Sequence, residues 1–459
     1  MAVREMRRSL AIAFLIAARA SAQTDEPARP KAPDVEWMKG APSIVELKPA
    51  DALLKLIPAA SLPMGAEGRF LFGLTPGFDV KPGGGGLMLQ PRAWDDSHPD
   101  PILAKAGRRK FSFVYGGGDA IEVPVEYSAG GKASYRIPAL LEVVAGDVTL
   151  CFIDANGNGW FDDLDVDKVA VGASGDPSKL TFEKFTGEIT AGGKRWLVSA
   201  NPRAAGLWPL SPGVSKDYVR HVSEVNAVRR FGGIEPVGFA EELISLCEAH
   251  SKYCARNGLT HYEDKNRALF TPGGEYAGRH SNVGPAVDAK GFARELLCTL
   301  WHRNFYYDGN LTRISVGTGD GYASSDVRSY GDWDRTPALA PFRGALDVPL
   351  ESRNENPDPY PDQHLPGPFI SVLFPKDTKA VLKEGTITPR GGQALKCDWT
   401  DPAHPPAKAK DRFPDNDSCI VLIPHLALKP DTIYDVKISA TVAGKDEIFG
   451  WSFRTKGAK

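Results

Sequence analysis

Between residues 218 and 301 apolar side chains recur every three to four positions, whereas on either side of this stretch they alternate every second position. That change of period admits helices only in the middle of the chain and sheets at both ends. Tyr218, Val222, Val225 and Val228 mark one side of a first helix that stops at Gly232-Gly233. Phe239, Leu243, Leu246, Cys247 and Cys254 mark a second, which Asn257-Gly258 ends because glycine tolerates the left-handed turn that closes helices. Asp288 is a good N-cap for a third, whose buried face is Phe292, Leu296, Leu297, Leu300 and Trp301. Leu311 to Gly319 then alternates as a strand through Ile314 and Val316. Helices flanking strands in this order predict a layered α/β domain of about 100 to 150 residues.

The flanks read differently. KFSFVYG, AIEVPVEYS, DVTLCFI and RWLVSA are strands separated by glycine-rich turns, which predicts a β-rich domain over 43–205. The run KPGGGG is a turn and not a phosphate loop, since no Lys-Ser/Thr follows it. The α/β domain spans 213–345, a proline-dense linker occupies 346–367, and short strands at regular spacing over 368–457 predict a β-sandwich. In that last module LKPDTIYDVKI, with Tyr434 entering a strand after a proline turn, resembles the tyrosine corner of immunoglobulin-like and fibronectin-like domains. The 459 residues suit about three domains. With 55 Lys+Arg against 57 Asp+Glu and no long basic run beyond the N-terminus, nucleic acid is excluded as a partner.

A basic n-region, the apolar run LAIAFLIAA and an Ala-x-Ala site ending at Ala22 read as a cleaved secretory signal, residues 1–22, followed by a Pro-rich linker over 23–42. No other run approaches the roughly 20 apolar residues needed to span a bilayer. The expected location is therefore extracellular or periplasmic, where disulfides persist. Six cysteines allow full pairing, and Cys397 with Cys419 is the most plausible bridge. Cys247 and Cys254 stand two helical turns, about 10 Å, apart and cannot join each other. One of them could reach Cys298, or all three are small core residues.

One loop carries chemistry on its face. Asp154, Asn156, Asn158, Asp162 and Asp165 place oxygen side chains at positions 1, 3, 5, 9 and 12, Gly159 stands at position 6, and Trp160 occupies position 7, which such loops use for a backbone carbonyl. Ca²⁺ wants six to eight oxygens at about 2.4 Å, and odd positions of a tightly wound loop point inward. The pattern resembles the calcium loop shared by EF-hands, dockerins and thrombospondin repeats, entered here from a strand. Its expected task is structural.

The histidines of the central region differ in setting. His250 lies on the apolar stripe of its helix and reads as a core histidine; His261 lies in a loop beside Glu263 and Asp264; His302 ends the third helix between Trp301 and Arg303. The succession of HSKY on a helix, LTHYED, Gly-Glu before AGRHSNV, a helix ending in WHRNF and the strand ISVGTG resembles the CAP superfamily of cysteine-rich secretory, antigen 5 and pathogenesis-related (SCP-like) proteins, bacterial type, over about 120 residues. The resemblance implies an α-β-α sandwich with a cleft where two histidines and two glutamates meet and can hold zinc or another divalent cation. His261 and His302 match the histidine positions and Glu275 a glutamate position. Tyr276 stands where the family has Asn, a rival alignment puts Arg279 at the glutamate position, and Glu295 is the remaining candidate for the second glutamate.

The expected fold is thus multidomain: a β-rich N-terminal domain, a CAP-like sandwich and an immunoglobulin-like module. Two functions follow from it. One is an exported binding protein for a lipid, glycan or protein, with a structural calcium ion. The other is a metal-assisted hydrolase with His261 and His302 as ligands and Glu275 as ligand or general base.

Overall fold

The computed structural model describes the backbone of residues 52–63, 69–70, 78–83, 86–91, 102–104, 107–114, 120–128 and 134–145, and then residues 148–155, 161–173, 179–200, 205–231, 234–330, 337–343, 345, 348–353, 367–375, 378–404 and 418–457, with most side chains from 140 onward. The expected signal segment, the linker that follows it, and Asn156, Asn158 and Trp160 lie outside these residues.

Upstream, the described elements are strands. β1 (Ala52–Pro63), β2 (Arg69–Phe70), β3 (Phe78–Gly83), β4 (Gly86–Pro91), β5 (Ile102–Ala104), β6 (Gly107–Val114), β7 (Ala120–Ser128), β8 (Ser134–Ala145), β9 (Val148–Ile153), β10 (Lys168–Val171) and β11 (Glu183–Lys184) form two sheets. The larger runs β11-β10-β9-β8-β7-β6 with β1 also on β8, and the smaller runs β2-β3-β4-β5. A third sheet joins β12 (Glu188–Ala191), β13 (Lys194–Ala200) and β14 (Ala205–Leu210). Leu141, Val143, Leu150, Phe152, Phe161 and Phe185 are among the core residues between these strands.

The central region begins with α1 (Lys216–Phe231), β15 (Gly238–Phe239) and a single 3₁₀ turn, and continues with α2 (Ile244–Asn257), α3 (Pro272–His280), β16 (Ser281–Pro285), α4 (Ala289–Leu296), α5 (Trp301–Tyr306), β17 (Leu311–Gly319) and β18 (Tyr322–Tyr330). The strands make one sheet, β15-β17-β18-β16. Strand alternation sends β17 side chains to opposite faces. Ile314 and Val316 enter a core with Val219, Val222 and Val225 of α1 and Phe292 and Ala293 of α4. On the other face, a Cβ at Gly317 would stand 2.3 Å from the backbone nitrogen of Glu248 in α2, so only glycine lets helix and strand approach this closely. Ser251 of α2 donates to the Gly317 carbonyl at 2.9 Å across that contact.

One local expectation changes here, and two elements lie where the sequence pattern predicts none. The helix predicted from Asp288 through Trp301 is two helices, although Asp288 does cap the first by accepting from Gly291 N–H. The break falls at Thr299, whose hydroxyl and N–H both reach the Leu296 carbonyl, at 2.6 and 3.0 Å, and tighten the last turn. The polar run after Gly319 is β18, paired on both edges by β16 and β17. Pro272 to His280, for which the sequence pattern predicts no element, is helix α3, with Thr271 accepting from Gly274 N–H at 2.8 Å and Pro272 at the first helical position.

The C-terminal region packs the sheet β19 (Ala338–Ala340), β20 (Ile370–Leu373), β23 (Cys419–Pro424) and β22 (Cys397–Thr400), in that order, against β21 (Ala380–Pro389), β24 (Ile433–Val442) and β25 (Lys445–Arg454). Ile370, Val372, Ile420, Leu422, Val436, Ile438 and Trp451 fill the space between. The Tyr434 hydroxyl accepts the Lys429 N–H at 2.8 Å, five residues upstream. No disulfide joins any pair of cysteines. The expected Cys397–Cys419 bridge is ruled out by strand register: Cys397 lies opposite Pro424, while Cys419, five residues back along β23, lies opposite Leu373. Cys247 and Cys254 are core residues of α2. Among the described residues no helix is long and apolar enough to cross a membrane.

Candidate functional site

His250 organises the loop that carries His261. Its ring is fully buried, and Nε2 donates to the Thr260 carbonyl at 2.9 Å because a carbonyl can only accept. Nδ1 therefore faces Glu263 Oε1, at 3.0 Å. The other Glu263 oxygen accepts Thr271 N–H at 3.0 Å, just before α3. Burial is the main cause that raises the Glu263 carboxyl above its usual range, against the pull of Thr271 N–H and His250. Cys254 Sγ lies 3.4 Å from His250 Nε2, which places Cys, His and Glu in the contact order of a nucleophilic triad. The chemistry does not follow. Nε2 carries its proton toward Thr260, and burial pushes the Cys254 thiol up to about 11, so no thiolate and no base are on hand. The group is a clasp that ties residues 260 to 271 to α2.

His261 is exposed as a residue, but its ring is partly covered at Nδ1, which donates to the Gly278 carbonyl of α3 at 3.0 Å. Its pKa is lowered, first by desolvation and then by the nearby His302 and His250 rings. His302 lies on α5, half-buried, and its carbonyl accepts Asn282 Nδ2 at 3.1 Å. His302 is thus near enough for its charge to be felt at His261. Gly278 is required where it stands, since a Cβ there would meet the His250 ring at 2.3 Å.

Glu275 does not turn toward these imidazoles. Its carboxylate binds Arg279, Oε1 to Nε at 2.6 Å, and accepts the Glu263 N–H. Arg279 in turn lies over the Tyr262 ring, 5.0 Å from its centre. Glu295 is an exposed surface residue 3.7 Å from Arg353. Among the described residues no three of His, Cys, Asp and Glu form a group able to hold a metal ion.

Two buried polar residues escaped the reading of the sequence. Asp326 of β18 lies opposite both Ser281 and Ser315, and burial first, then the Asp326 carboxylate, raise the Tyr276 hydroxyl and the Cys247 thiol. A lone Asp within a serine-rich run was its only signal. His221, on the buried side of α1, donates from Nδ1 to the Ala289 carbonyl at 2.8 Å and receives the Ser325 hydroxyl at Nε2, 2.9 Å, with Tyr306 donating to Ser325. It sits three residues after Tyr218 on the predicted apolar stripe, and that spacing was the available clue.

The calcium-type loop is described at its two ends. Asp154 is buried. Asp162 uses Oδ2 on β13, accepting Ala200 N–H at 2.9 Å and the Ser199 hydroxyl at 3.2 Å. Asp165, expected to close the loop at position 12, instead pairs with Arg220 of α1 and with Lys290 of α4 at 3.2 Å. Asp167 takes a place that sequence spacing did not assign. Its two oxygens accept Ala155 N–H at 2.9 Å and Asp163 N–H at 2.8 Å, which staples the loop shut. Burial, then Asp163, and more weakly Asp154 push this carboxyl up to about 8.

No family model matches the chain, and no curated protein matches it. Among solved structures it is similar to the 1.5 Å crystal structure of an extracellular protein containing a SCP domain from Bacillus anthracis str. Ames, at 10% identity over 48% of this chain and 88% of that one, with a TM-score of 0.22. A likeness of that size carries no structural argument.

Proposed function

We propose that this chain is an exported binding protein built on a CAP-like three-layer domain, with an immunoglobulin-like module behind it and a structural calcium site in its upstream β region. The observation that carries the binding reading is that, among the described residues, no third His, Cys, Asp or Glu joins His261 and His302 in a group able to hold a metal ion. Desolvation first, and then the His302 ring, lower the loop imidazole of His261, while the carboxylate that a hydrolytic metal would need is spent on Arg279. Catalytic zinc takes three protein ligands, and two imidazoles alone make a weak site. Zn²⁺ titrated calorimetrically into wild type and His261→Ala should therefore give equal heats. Heat lost in the variant would transfer the reading to the metal-assisted hydrolase.

The calcium reading rests on the loop sequence and on the crowding of Asp154, Asp163 and Asp167 at its base. Both Asp167 oxygens already accept an N–H, which favours the ionised form, while burial and two carboxylate neighbours oppose it. A divalent cation held by Asp154 and the loop oxygens would relieve that conflict. The ion would supply only structure, pinning the turn between β9 and β10. At a free concentration 100-fold above Kd it stabilises by about 2.7 kcal/mol. Melting of the chelator-treated protein should thus shift upward by roughly 5 to 10 °C on adding Ca²⁺, and Asp154→Asn should abolish the shift. Identical melting with EDTA and with Ca²⁺ would dismiss the site.

A further inference from the structure

The run CIVLIP that makes β23 is apolar at every position, and all six residues of the strand are buried. A strand apolar on both sides must be covered on both sides. Its even positions, Ile420 and Leu422, face the core of the sandwich, with Ile370 and Val372 of β20 beside them. Its odd positions, with Leu373 of β20, enter a separate cluster whose other members include Leu300, Trp301 and Tyr307. The second face of this sheet is therefore covered by α5, the helix that carries His302.

Helix α5 needs that cover. It has six residues, and its N-cap, Leu300, offers no side-chain hydrogen bond. A single unsupported turn and a half does not persist in water. Arg303, buried next to His302, reaches across and donates to Ser371 Oγ of β20 at 2.9 Å, and Ser371 is the cross-strand neighbour of Val421. The other side of the same short helix, through Tyr306 and Phe305, packs into the core of the central domain. β19, the next described strand after β18, pairs with β20 and so belongs to the C-terminal sheet.

We infer that the C-terminal sandwich is a fixed part of the two-histidine site, with Ser371 and Val421 acting as positioning residues that hold α5, and thereby His302, in place. The module is more than a tethered spacer. The test uses the full chain carrying ¹³C-labelled histidine, with ring signals assigned through His302→Gln and His261→Gln. Ser371→Ala and Val421→Ala are compared with Ile438→Val, which trims the other face of the same sandwich. The Ser371 and Val421 variants should move the His302 ring signals beyond their line width and those of His261 with them, whereas Ile438→Val should leave both in place. If the first two variants lower the melting temperature but leave the His302 signals at their wild-type positions, α5 is held from elsewhere and the inference falls. Equal displacement by Ile438→Val would also overturn it, because general loosening would then explain the effect. Ser371→Ala removes one oxygen and keeps the inference testable should Val421→Ala fold poorly.

Discussion

Replacing Arg229 by Met should cost the central domain about 4 kcal/mol and lower its melting temperature by roughly 10 °C, the larger part of any single-site effect expected here. The side chain is fully buried in α1 and donates to four backbone carbonyls. Nε reaches Glu235 at 2.7 Å, Nη1 reaches Tyr306 at 2.7 Å and Asp308 at 2.8 Å, and Nη2 reaches Leu311 at 3.1 Å. These carbonyls belong to the chain that leaves α1 and to the connection between α5 and β17, so one guanidinium ties three segments together. Met fills much of the volume but satisfies none of the four acceptors, each worth about 1 kcal/mol or more when orphaned in the interior. Lys, with a compact ammonium in place of a planar fork, should recover less than half of the loss. Chemical denaturation of the two variants reads the effect, and a loss below about 1 kcal/mol for Met would show that water replaces the guanidinium.

Acid should weaken the same domain through His221. Burial first, against the Ala289 carbonyl and Asp217, holds this imidazole down to about 4 from its ordinary 6.5. The unfolded chain thus takes up the proton before the folded one does, and stability, steady above pH 6.5, falls as the pH drops toward 4. The shift corresponds to an upper bound of about 3 kcal/mol. His221→Gln removes that titration while keeping a polar side chain of similar reach. The stability gap between wild type and variant should therefore narrow by up to that amount between pH 7 and pH 4. Parallel stability profiles would show that His221 titrates alike in the folded and unfolded chain, and a gap that widens toward pH 4 would show that the ring is protonated in the fold and donates to Ser325.

Much of the framework was legible because burial and period agree. Tyr218, Val222 and Val225 do form the inner face of α1, Asn257-Gly258 does end α2, and Asp288 does begin a helix. The losses have local causes. Helix α3 was masked by Gly273, Gly274 and Gly278, which lower helix propensity, although Thr271-Pro272 is a start signal. The joined reading of α4 and α5 followed an unbroken apolar stripe that in fact serves two cores, Phe292 to Leu296 in one and Leu300 to Trp301 in the other. In the candidate site, the motif offers Glu275 as a ligand, but spacing does not reveal that Arg279 one turn later claims its carboxylate. Asp167 was equally hidden, lying two residues past the position at which an EF-hand-like loop would close.

The claim beneath the proposed function is that His261 and His302 share one hollow. Titrating the labelled histidines of the full chain measures this directly. His261 should titrate below an ordinary imidazole, and His302→Gln should raise its pKa by removing the neighbouring positive charge. A His261 pKa unchanged by His302→Gln would mean that the two rings do not sense each other, and would contradict the account.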